Sequence, residues 1–344
     1  MEKKDVLRKV VRHVDATAFD ARTMMNAYRD MSFQARNLAK AADILDRMLA
    51  DTDCGVILTL AGSLCSAGLK DAIALMIDEN MVDVVVSTGA NIVDQDFFEA
   101  LGFRHYKGTP HVDDQRLREL AVDRIYDTYI DEDELRVCDM TVAAIAAGLP
   151  ARPHSSREFI AAMGRYLDER GVKADRSIVH AAYRKGVPIF CPAFSDCSAG
   201  FGLLHHQWHA DKPLTIDSVA DFRELTRLKL ELAETGILMI GGGVPKNFTQ
   251  DVVVATEIVG EERPMHRYAL QITVADERDG ALSGSTLREA CSWGKVDTTF
   301  EQMVWGEATV LLPLLVSDAW HRGSWRAREE RRLNDIFAGV ETRS

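Results

Sequence analysis

The chain has 344 residues, and its 41 Lys and Arg against 53 Asp and Glu leave a formal net charge of −12 at neutral pH. The length fits one large domain or two ordinary ones, and the apolar content of 47% is that of a globular protein, which excludes disordered and fibrous classes. The acidic balance argues against a nucleic-acid-binding protein, which normally carries a basic face, and is compatible with a cationic small-molecule substrate.

The sequence carries no pattern typical of membrane insertion or secretion. No window reaches about 18 uninterrupted apolar residues, and the charged stretch 1–16 lacks an apolar core. The six cysteines form no C-x-x-C pair and no regular series of spacings, which favours reduced thiols. We therefore predict a cytoplasmic protein with neither a membrane nor a nucleic acid as its partner.

Periodicity in the first half of the chain predicts alternating helices and strands. Apolar residues at helical spacing predict an amphipathic helix over 33–50. Continuous apolar runs predict buried strands over 55–61 and 82–88, with a helix between them at about 68–80. The stretch 104–186 is interpreted as helical, and its clearest helix covers 155–170 with Ser155 or Ser156 as the N-cap.

The second half continues the alternation. Three more strands are predicted over 187–193, 236–243 and 267–275, with helices near 216–234 and 311–320 and a charged tail after 324 that is expected to fray. The pattern predicts an α/β fold with a mainly parallel sheet. Turns rich in Gly, Ser and Asp follow the strands, at 61–68, 87–91, 195–200, 241–243 and 276–284. Because ligands bind at the carboxyl ends of parallel strands, we expect these turns to converge on one site.

Several common catalytic signatures are absent from the sequence. There is no G-x-G-x-x-G fingerprint, no phosphate-binding loop, no G-x-S-x-G elbow and no H-E-x-x-H pair. His205, His206 and His209 cluster locally, but no matching acid or cysteine accompanies them, so no metal site is predicted.

A single lysine stands out. Lys295 lies beside Trp293 and the flexible Gly294. Burial against an aromatic wall disfavours the charged form of a lysine, and the neutral amine can form a Schiff base. The alternative is a surface lysine whose aliphatic stem lies on Trp293.

Five segments resemble the deoxyhypusine synthase family in the family's own order and over most of the chain. They are FQARNLAKA at 33–41, NMVDVVVSTGAN at 80–91, VPIFCPAFSDCSAG at 187–200, ILMIGGGVPKNF at 237–248 and DGALSGSTLREACSWGK at 279–295. The resemblance implies a Rossmann-like, mainly parallel sheet flanked by helices, related to the NAD-binding fold of sirtuins. It implies a homotetramer with active sites at subunit interfaces. We expect a helical segment over 1–50, one NAD-binding catalytic domain over 51–325 and a charged tail over 326–344.

The resemblance also implies a reaction. NAD is held as a redox cofactor, and an aminobutyl group passes from a polyamine such as spermidine to a lysine as an imine, and then to an acceptor amine. By position, Lys295 corresponds to the imine-forming lysine, Trp293 to its aromatic wall and Glu289 to a residue near the substrate amines. The implied NAD contacts are Gly62, Ser63, Ser66, Thr88, Gly89, Ala90, Asp94, Asp196, Gly242, Val274, Ala275, Glu307 and Ala308.

The chain departs from the family at the substrate end. Phe201, Leu282 and Asn247 stand where the family holds its polyamine with two aspartates and a histidine. An ammonium buried against Phe and Leu without a partner would be costly. This pattern resembles the branch called deoxyhypusine synthase-like, and we predict an aminoalkyl transferase whose acceptor is a small amine, as in homospermidine synthesis. The alternatives are a true deoxyhypusine synthase acting on a translation-factor precursor, an NAD-dependent amine dehydrogenase, and an NAD-binding protein without turnover.

Overall fold

A parallel sheet forms the centre of the computed structural model, which describes residues 2–171, 176–232 and 234–338. Six strands follow the order β11–β10–β9–β1–β2–β7, all parallel. In chain order the strands are β1 (Cys54–Leu60), β2 (Val84–Ser87), β3 (Tyr106–Lys107), β4 (Val122–Ile125), β5 (Thr128–Asp131), β6 (Pro153–His154), β7 (Ile189–Phe190), β8 (Thr215–Ile216), β9 (Glu234–Ile240), β10 (His266–Thr273) and β11 (Val296–Trp305).

Helices cover both faces of this sheet. They are α1 (Lys3–Val6), α2 (Arg22–Arg29), α3 (Phe33–Ala50), α4 (Lys70–Asp78), α5 (Phe98–Ala100), α6 (Asp114–Glu119), α7 (Glu132–Ala147), α8 (Ser156–Glu169), α9 (Ile178–Lys185), α10 (Ser198–His209), α11 (Ser218–Glu231), α12 (Gly243–Ile258), α13 (Leu287–Ser292) and α14 (Ala308–Arg322). Wider π-helical turns cover Cys65–Leu69 and Ala90–Phe97, directly after β1 and β2, and 3₁₀ turns cover Ser324–Ala327 and Leu333–Phe337. None of the helices in the described ranges is long and apolar enough to cross a membrane.

Alternate side chains of the central strands enter two separate cores. Leu58 and Leu238 pack in the core that includes α3, α4 and α14, whereas Ile57 and Ile237 pack in the core that includes α11, α12 and α13. Because both faces are covered, the strands are apolar throughout, and this explains their continuous apolar runs. The result is a helix–sheet–helix sandwich, and the predicted mainly parallel α/β fold is confirmed.

The strand order reverses between β1 and β9. The chain leaves β1 toward β2 on one side, and continues from β9 to β10 and β11 on the other. In open α/β sheets such a reversal opens a crevice at the carboxyl ends of the strands, where ligands bind. Gly62 and Gly241 lie there with φ of +72° and +76°, conformations that glycine adopts without strain.

Most of the predicted helices and strands are confirmed, but the stretch 104–186 is not wholly helical. Residues 106–131 contain a three-stranded antiparallel sheet in the order β3–β5–β4. The hairpin between β4 and β5 turns at Tyr126, whose φ is +50°, and Val122 and Tyr129 pack in a small core of their own. The strands are short and rich in charge, so they lack the apolar runs by which the larger strands were predicted.

The expectation that the chain frays after 324 is wrong for the residues described there. The guanidinium of Arg328 is buried, pairs with Asp83 at 2.5 Å and donates to the carbonyl oxygens of Asn80, Asp51 and Cys54. Further on, Leu333 and Phe337 pack in the core beneath α11. Arg328 therefore acts as an anchor for this stretch, because its buried charge is paired and hydrogen-bonded inside the fold.

Candidate functional site

The turn after β1 is held in shape by two buried amides of the neighbouring π-helical turn. Asn91 accepts hydrogen bonds from the backbone N–H groups of Leu64 at 2.8 Å and Cys65 at 3.4 Å, and its own amide donates to the carbonyl of Gly62 at 3.0 Å. Gln95 accepts from the N–H of Ser66 at 2.8 Å. These bonds fix the loop that bears three of the predicted NAD contacts. The sequence analysis missed both amides, whose only signal is their place in the turn that follows β2.

This loop forms one wall of a cleft of about 680 Å³ at the carboxyl edge of the sheet. Ser63, Ser66 and Glu307 line the cleft, and the hairpin around Tyr126 closes its other side. A Cβ placed on Gly62 would meet no atom within 4 Å, so the bare backbone faces open space there. A cleft of this size with exposed backbone at strand ends fits a dinucleotide.

The residues after β2 that were predicted to bind NAD are hydrogen-bonded to, or packed against, other parts of the same chain. Thr88 donates from its hydroxyl to the carbonyl of Gly62 at 3.2 Å. A Cβ on Gly89 would lie 2.3 Å from the sulfur of Cys197, so glycine is required there by packing. Asp94 accepts from the N–H of Ser198 at 2.6 Å, and burial raises the pKa of its carboxyl to about 6. The Asp94 carboxylate, from the π-helical turn after β2, thus binds the first residue of α10 and anchors that helix.

The remaining predicted NAD contacts are spread along the same edge. Gly242 packs closely on the backbone of Ser283, and Ala275 donates its N–H to the hydroxyl of Thr273 at 3.1 Å. Of the other four, Asp196 and Val274 are exposed. Ala90 is the first residue of the π-helical turn after β2, and Ala308 is the first residue of α14.

Lys295 forms an ion pair that the sequence analysis did not foresee. Its ammonium lies 2.5 Å from a carboxylate oxygen of Asp251, on α12, and 5.2 Å from the ring centroid of Trp293. The Lys295 side chain is 13% exposed, whereas Trp293 is 65% exposed. Lys295 is therefore mostly buried, as expected for a lysine in a dry pocket, but the Trp293 ring beside it is exposed to solvent, as expected at a surface. The structure combines features of both alternatives considered from the sequence.

The ion pair stands beside a groove of about 350 Å³ between α11 and α12. Asn247 and Leu282 line this groove together with Asp251, and the aromatic rings of Phe222 and Phe248 form its wall, with their centroids 5.1 Å apart. Two of the three positions that depart from the family pattern thus meet in one groove. Asp251 supplies a carboxylate to this groove, next to two of the positions where the sequence departs from the family pattern.

Phe201 and Glu289 do not line the groove within one chain. Phe201 lies on α10 and is 66% exposed. Glu289 accepts from the N–H of Thr286, while the N–H of Glu289 bonds to the Thr286 hydroxyl, so the pair caps α13. This capping box stabilises the helix that leads to Lys295.

A second lysine, Lys246, is buried near Lys295. Its ammonium donates to the side-chain oxygen of Gln271 at 2.9 Å and to the carbonyl of Ser285. Burial lowers the pKa of Lys246 to about 8, opposed by the charge of Glu289 and assisted by that of Lys295. Desolvation therefore acts on Lys246, which the sequence analysis did not single out.

Of the three clustered histidines on α10, His206 is buried, whereas His205 and His209 are exposed. The His205 and His209 rings lie 4.3 Å apart, and the ring of His206 accepts the N–H of Leu214 at 3.2 Å. Across the described ranges, no three or more His, Cys, Asp and Glu side chains gather in a way that could hold a metal ion.

Comparison with known proteins gives one consistent result. The family model described as deoxyhypusine synthase matches residues 23–319. A deoxyhypusine synthase-like protein of Chlorobaculum tepidum is 64% identical over 98% of this chain and 97% of its own length. A protein of the same name from Coxiella burnetii is 57% identical over 97% and 96%. "Probable deoxyhypusine synthase 2" of Methanosarcina mazei is 40% identical over 92% and 90%.

The fold of a solved structure agrees. The crystal structure of a "putative deoxyhypusine synthase" from Entamoeba histolytica superimposes with a TM-score of 0.62 and 18% identity, over 93% of this chain and 99% of that one. At this identity the likeness concerns the fold alone.

Proposed function

Because the chain belongs to the deoxyhypusine synthase family, a family of transferases, we propose that it moves an aminoalkyl group from a polyamine through an imine on Lys295 to a small acceptor amine. The observation that carries this proposal is the position of Lys295. This mostly buried lysine lies beside an aromatic ring and pairs with Asp251, whose carboxylate lines a groove with room for an amine. To attack a carbon at the aldehyde level of oxidation the Lys295 amine must first lose its proton, and the Asp251 carboxylate is placed to take it.

The proposed cofactor is NAD, held in the cleft lined by Ser63, Ser66 and Glu307. When bound, it would supply the two-electron oxidation of the donor carbon and the later reversal of that oxidation. The glycines at the ends of β1 and β9 let backbone N–H groups approach a pyrophosphate. The hydroxyls of Ser63 and Ser66 and the carboxylate of Glu307 would bind polar groups of the cofactor.

The contribution of the protein itself is made at Lys295 and Asp251. The carboxylate orients the Lys295 amine toward the groove and accepts a proton when that amine becomes neutral. The apolar wall of Phe222 and Phe248 keeps water away from the imine carbon. Exclusion of water is required, because hydrolysis would release the transferred group as an aldehyde.

The active sites are proposed to lie between subunits of a homotetramer. Within one chain the described residues lining the cleft of Ser63 and those lining the groove of Asp251 form two separate sets. A second copy placed across the carboxyl edge would bring a cleft and a groove together, and could cover the exposed rings of Trp293 and Phe201.

The covalent step is tested by trapping it. The protein is incubated with NAD and 1,4-diaminobutane or spermidine and reduced with borohydride, after which its intact mass is measured. We expect a gain of one aminoalkyl group per chain, assigned to Lys295 by peptide mapping. The variant Lys295→Arg keeps a cation beside Asp251 but has no nucleophilic amine, so it should show no adduct.

Two results would contradict the proposal. One is an adduct on Lys246 that persists in Lys295→Arg. The other is a steady release of NADH and aldehyde with no adduct, which would favour an amine dehydrogenase. Formation of product only with a protein acceptor, and with no small amine, would instead support the true deoxyhypusine synthase.

A further inference from the structure

A charged side chain lines the groove beside Lys295. Among the described residues that line it, Asp251 is the single charged side chain, and Ser218 and Asn247 are the polar ones. The remaining lining residues are apolar, namely Val219, Phe222, Val244, Phe248 and Leu282. The described residues of the groove thus offer one carboxylate and two neutral polar side chains among apolar walls.

The carboxylate of Asp251 is held in a fixed direction. The side-chain amide of Asn247, one helical turn earlier on α12, donates to one of its oxygens at 2.8 Å, while the Lys295 ammonium contacts the other at 2.5 Å. The carboxylate is one-third exposed and faces the groove. A ligand ammonium in the groove can approach this exposed edge, where it shares the carboxylate with the Lys295 ammonium.

Several apolar side chains in the walls of the groove are exposed to water, which is unfavourable for apolar surface. Val219 is 73% exposed, and Val244 and Leu282 are about half exposed. Contact with an apolar body would remove these side chains from water at about 25 cal/mol per Å² of buried apolar surface. A second ammonium lying on Phe222 or Leu282 would instead lose its hydration without gaining a counter-ion.

We propose that the groove binds a primary amine with a single positive charge and an apolar alkyl or aromatic body, with its ammonium on Asp251. The inference rests on the proposed function, in which this amine is the acceptor. It excludes spermidine and short diamines as the preferred occupants, since each carries a second ammonium into the apolar part of the groove.

The same geometry provides a route for the proton during transfer. The acceptor ammonium gives a proton to Asp251, and its nitrogen forms a bond to the imine carbon held on Lys295. The imine on Lys295 is protonated, so its nitrogen carries one hydrogen. As the bond between that carbon and the Lys295 nitrogen breaks, Asp251 passes two protons in turn from the acceptor nitrogen to the departing amine. The acceptor now carries the imine, Lys295 is an ammonium again, and no electrons are exchanged in this step.

Binding is measured by titration calorimetry at pH 7 without NAD, so that turnover plays no part. The probes are 2-phenylethylamine, 1,4-diaminobutane, spermidine and the neutral 2-phenylethanol. We expect 2-phenylethylamine to bind about tenfold more tightly than either polyamine, and Asp251→Asn to lose about tenfold of that affinity while its affinity for 2-phenylethanol is unchanged. Leu282→Asp, which adds a second carboxylate, should shift the preference toward 1,4-diaminobutane.

Tighter binding of spermidine than of 2-phenylethylamine to the natural protein would overturn the inference. Unchanged affinity of Asp251→Asn for 2-phenylethylamine would do the same. Asp251→Glu keeps the charge, so retained amine binding in this variant separates loss of charge from loss of fold. If amine binding follows the expected order but no adduct forms on Lys295, the inference stands and the proposed function fails.

Discussion

At the scale of single residues, buried amides determine the shape of the candidate cofactor cleft. The Asn91 side chain is fully buried and makes hydrogen bonds to both sides of the turn after β1, to the N–H of Leu64 and to the carbonyl of Gly62. A buried N–H without an acceptor is costly, so this turn depends on a residue that lies 27 positions further along the chain.

We therefore expect Asn91→Ala to weaken NAD binding. Loss of the acceptor for Leu64 should reduce the free energy of unfolding by about 1–3 kcal/mol, and the distorted loop should lower NAD affinity about tenfold. Urea denaturation and quenching of tryptophan fluorescence by NAD measure the two effects. The matched control is Asn26→Ala, at an exposed position of α2. Equal NAD affinity in both variants would show that Asn91 does not shape the cleft.

At the scale of elements, a buried carboxylate joins α8, α11 and β7. Asp221 on α11 accepts from the hydroxyl of Ser156 at 2.9 Å and from the N–H of Arg157 at 3.3 Å, and Ser156 in turn accepts the N–H of Cys191 at 2.8 Å. Burial raises the pKa of Asp221 from 3.8 to about 7. The group is therefore protonated in the folded protein at a pH where the unfolded chain has already released its proton.

This pKa makes part of the stability dependent on pH. Between pH 4 and 7 the folded state binds more protons at Asp221 than the unfolded state, so its contribution to stability falls as the pH rises. Asp221→Asn does not titrate. We expect the free energy of unfolding of this variant, relative to the natural protein, to rise by about 1.4 kcal/mol per pH unit across this window, as measured by urea denaturation. Asp211→Asn, at an exposed position, serves as the control substitution, and a flat profile for Asp221→Asn relative to the natural protein would refute the assignment.

At the scale of the whole molecule, the sheet separates the two parts of the proposed site. The groove of Asp251 belongs to the face covered by α11 and α12, whereas Glu307 begins α14 on the other face. The groove and the cleft both open at the carboxyl ends of the strands, where the reversal of strand order between β1 and β9 forms a crevice. One chain offers a cofactor cleft and an amine groove, and the proposed tetramer joins the cleft of one copy to the groove of another.

This arrangement predicts complementation between two inactive variants. Lys295→Ala removes the nucleophile, and Ser63→Trp fills the cofactor cleft. If sites are shared between copies, co-expression of the two should restore about a quarter of the aminoalkyl transfer, as expected for random pairing of the two chains in a symmetric oligomer. Each variant expressed alone should be inactive, and product formation measured by mass spectrometry distinguishes the cases. Absence of any recovery in verified mixed oligomers would place the whole site within one chain.

Much of the fold follows from local patterns in the sequence. Helix α3 covers the predicted residues 33–50, and Ser155 caps α8 by accepting the N–H of Glu158 at 3.2 Å. Five parallel strands lie where apolar runs were seen, because strands buried on both faces must be apolar throughout. The edge strand β11 was missed, since it pairs on one side only and its partly exposed face carries polar residues that interrupt the apolar run.

The sequence by itself determined the α/β class, the family and the candidate lysine, because apolar periodicity and contiguous motifs are local properties of the chain. Only the tertiary structure decided that Asp251 pairs with Lys295, that Lys246 is buried and that Arg328 anchors the final stretch. These three charged side chains look like ordinary solvated ones in the sequence. Their roles arise from burial and from partners 25 to 277 positions away, and both depend on how the helices and strands pack.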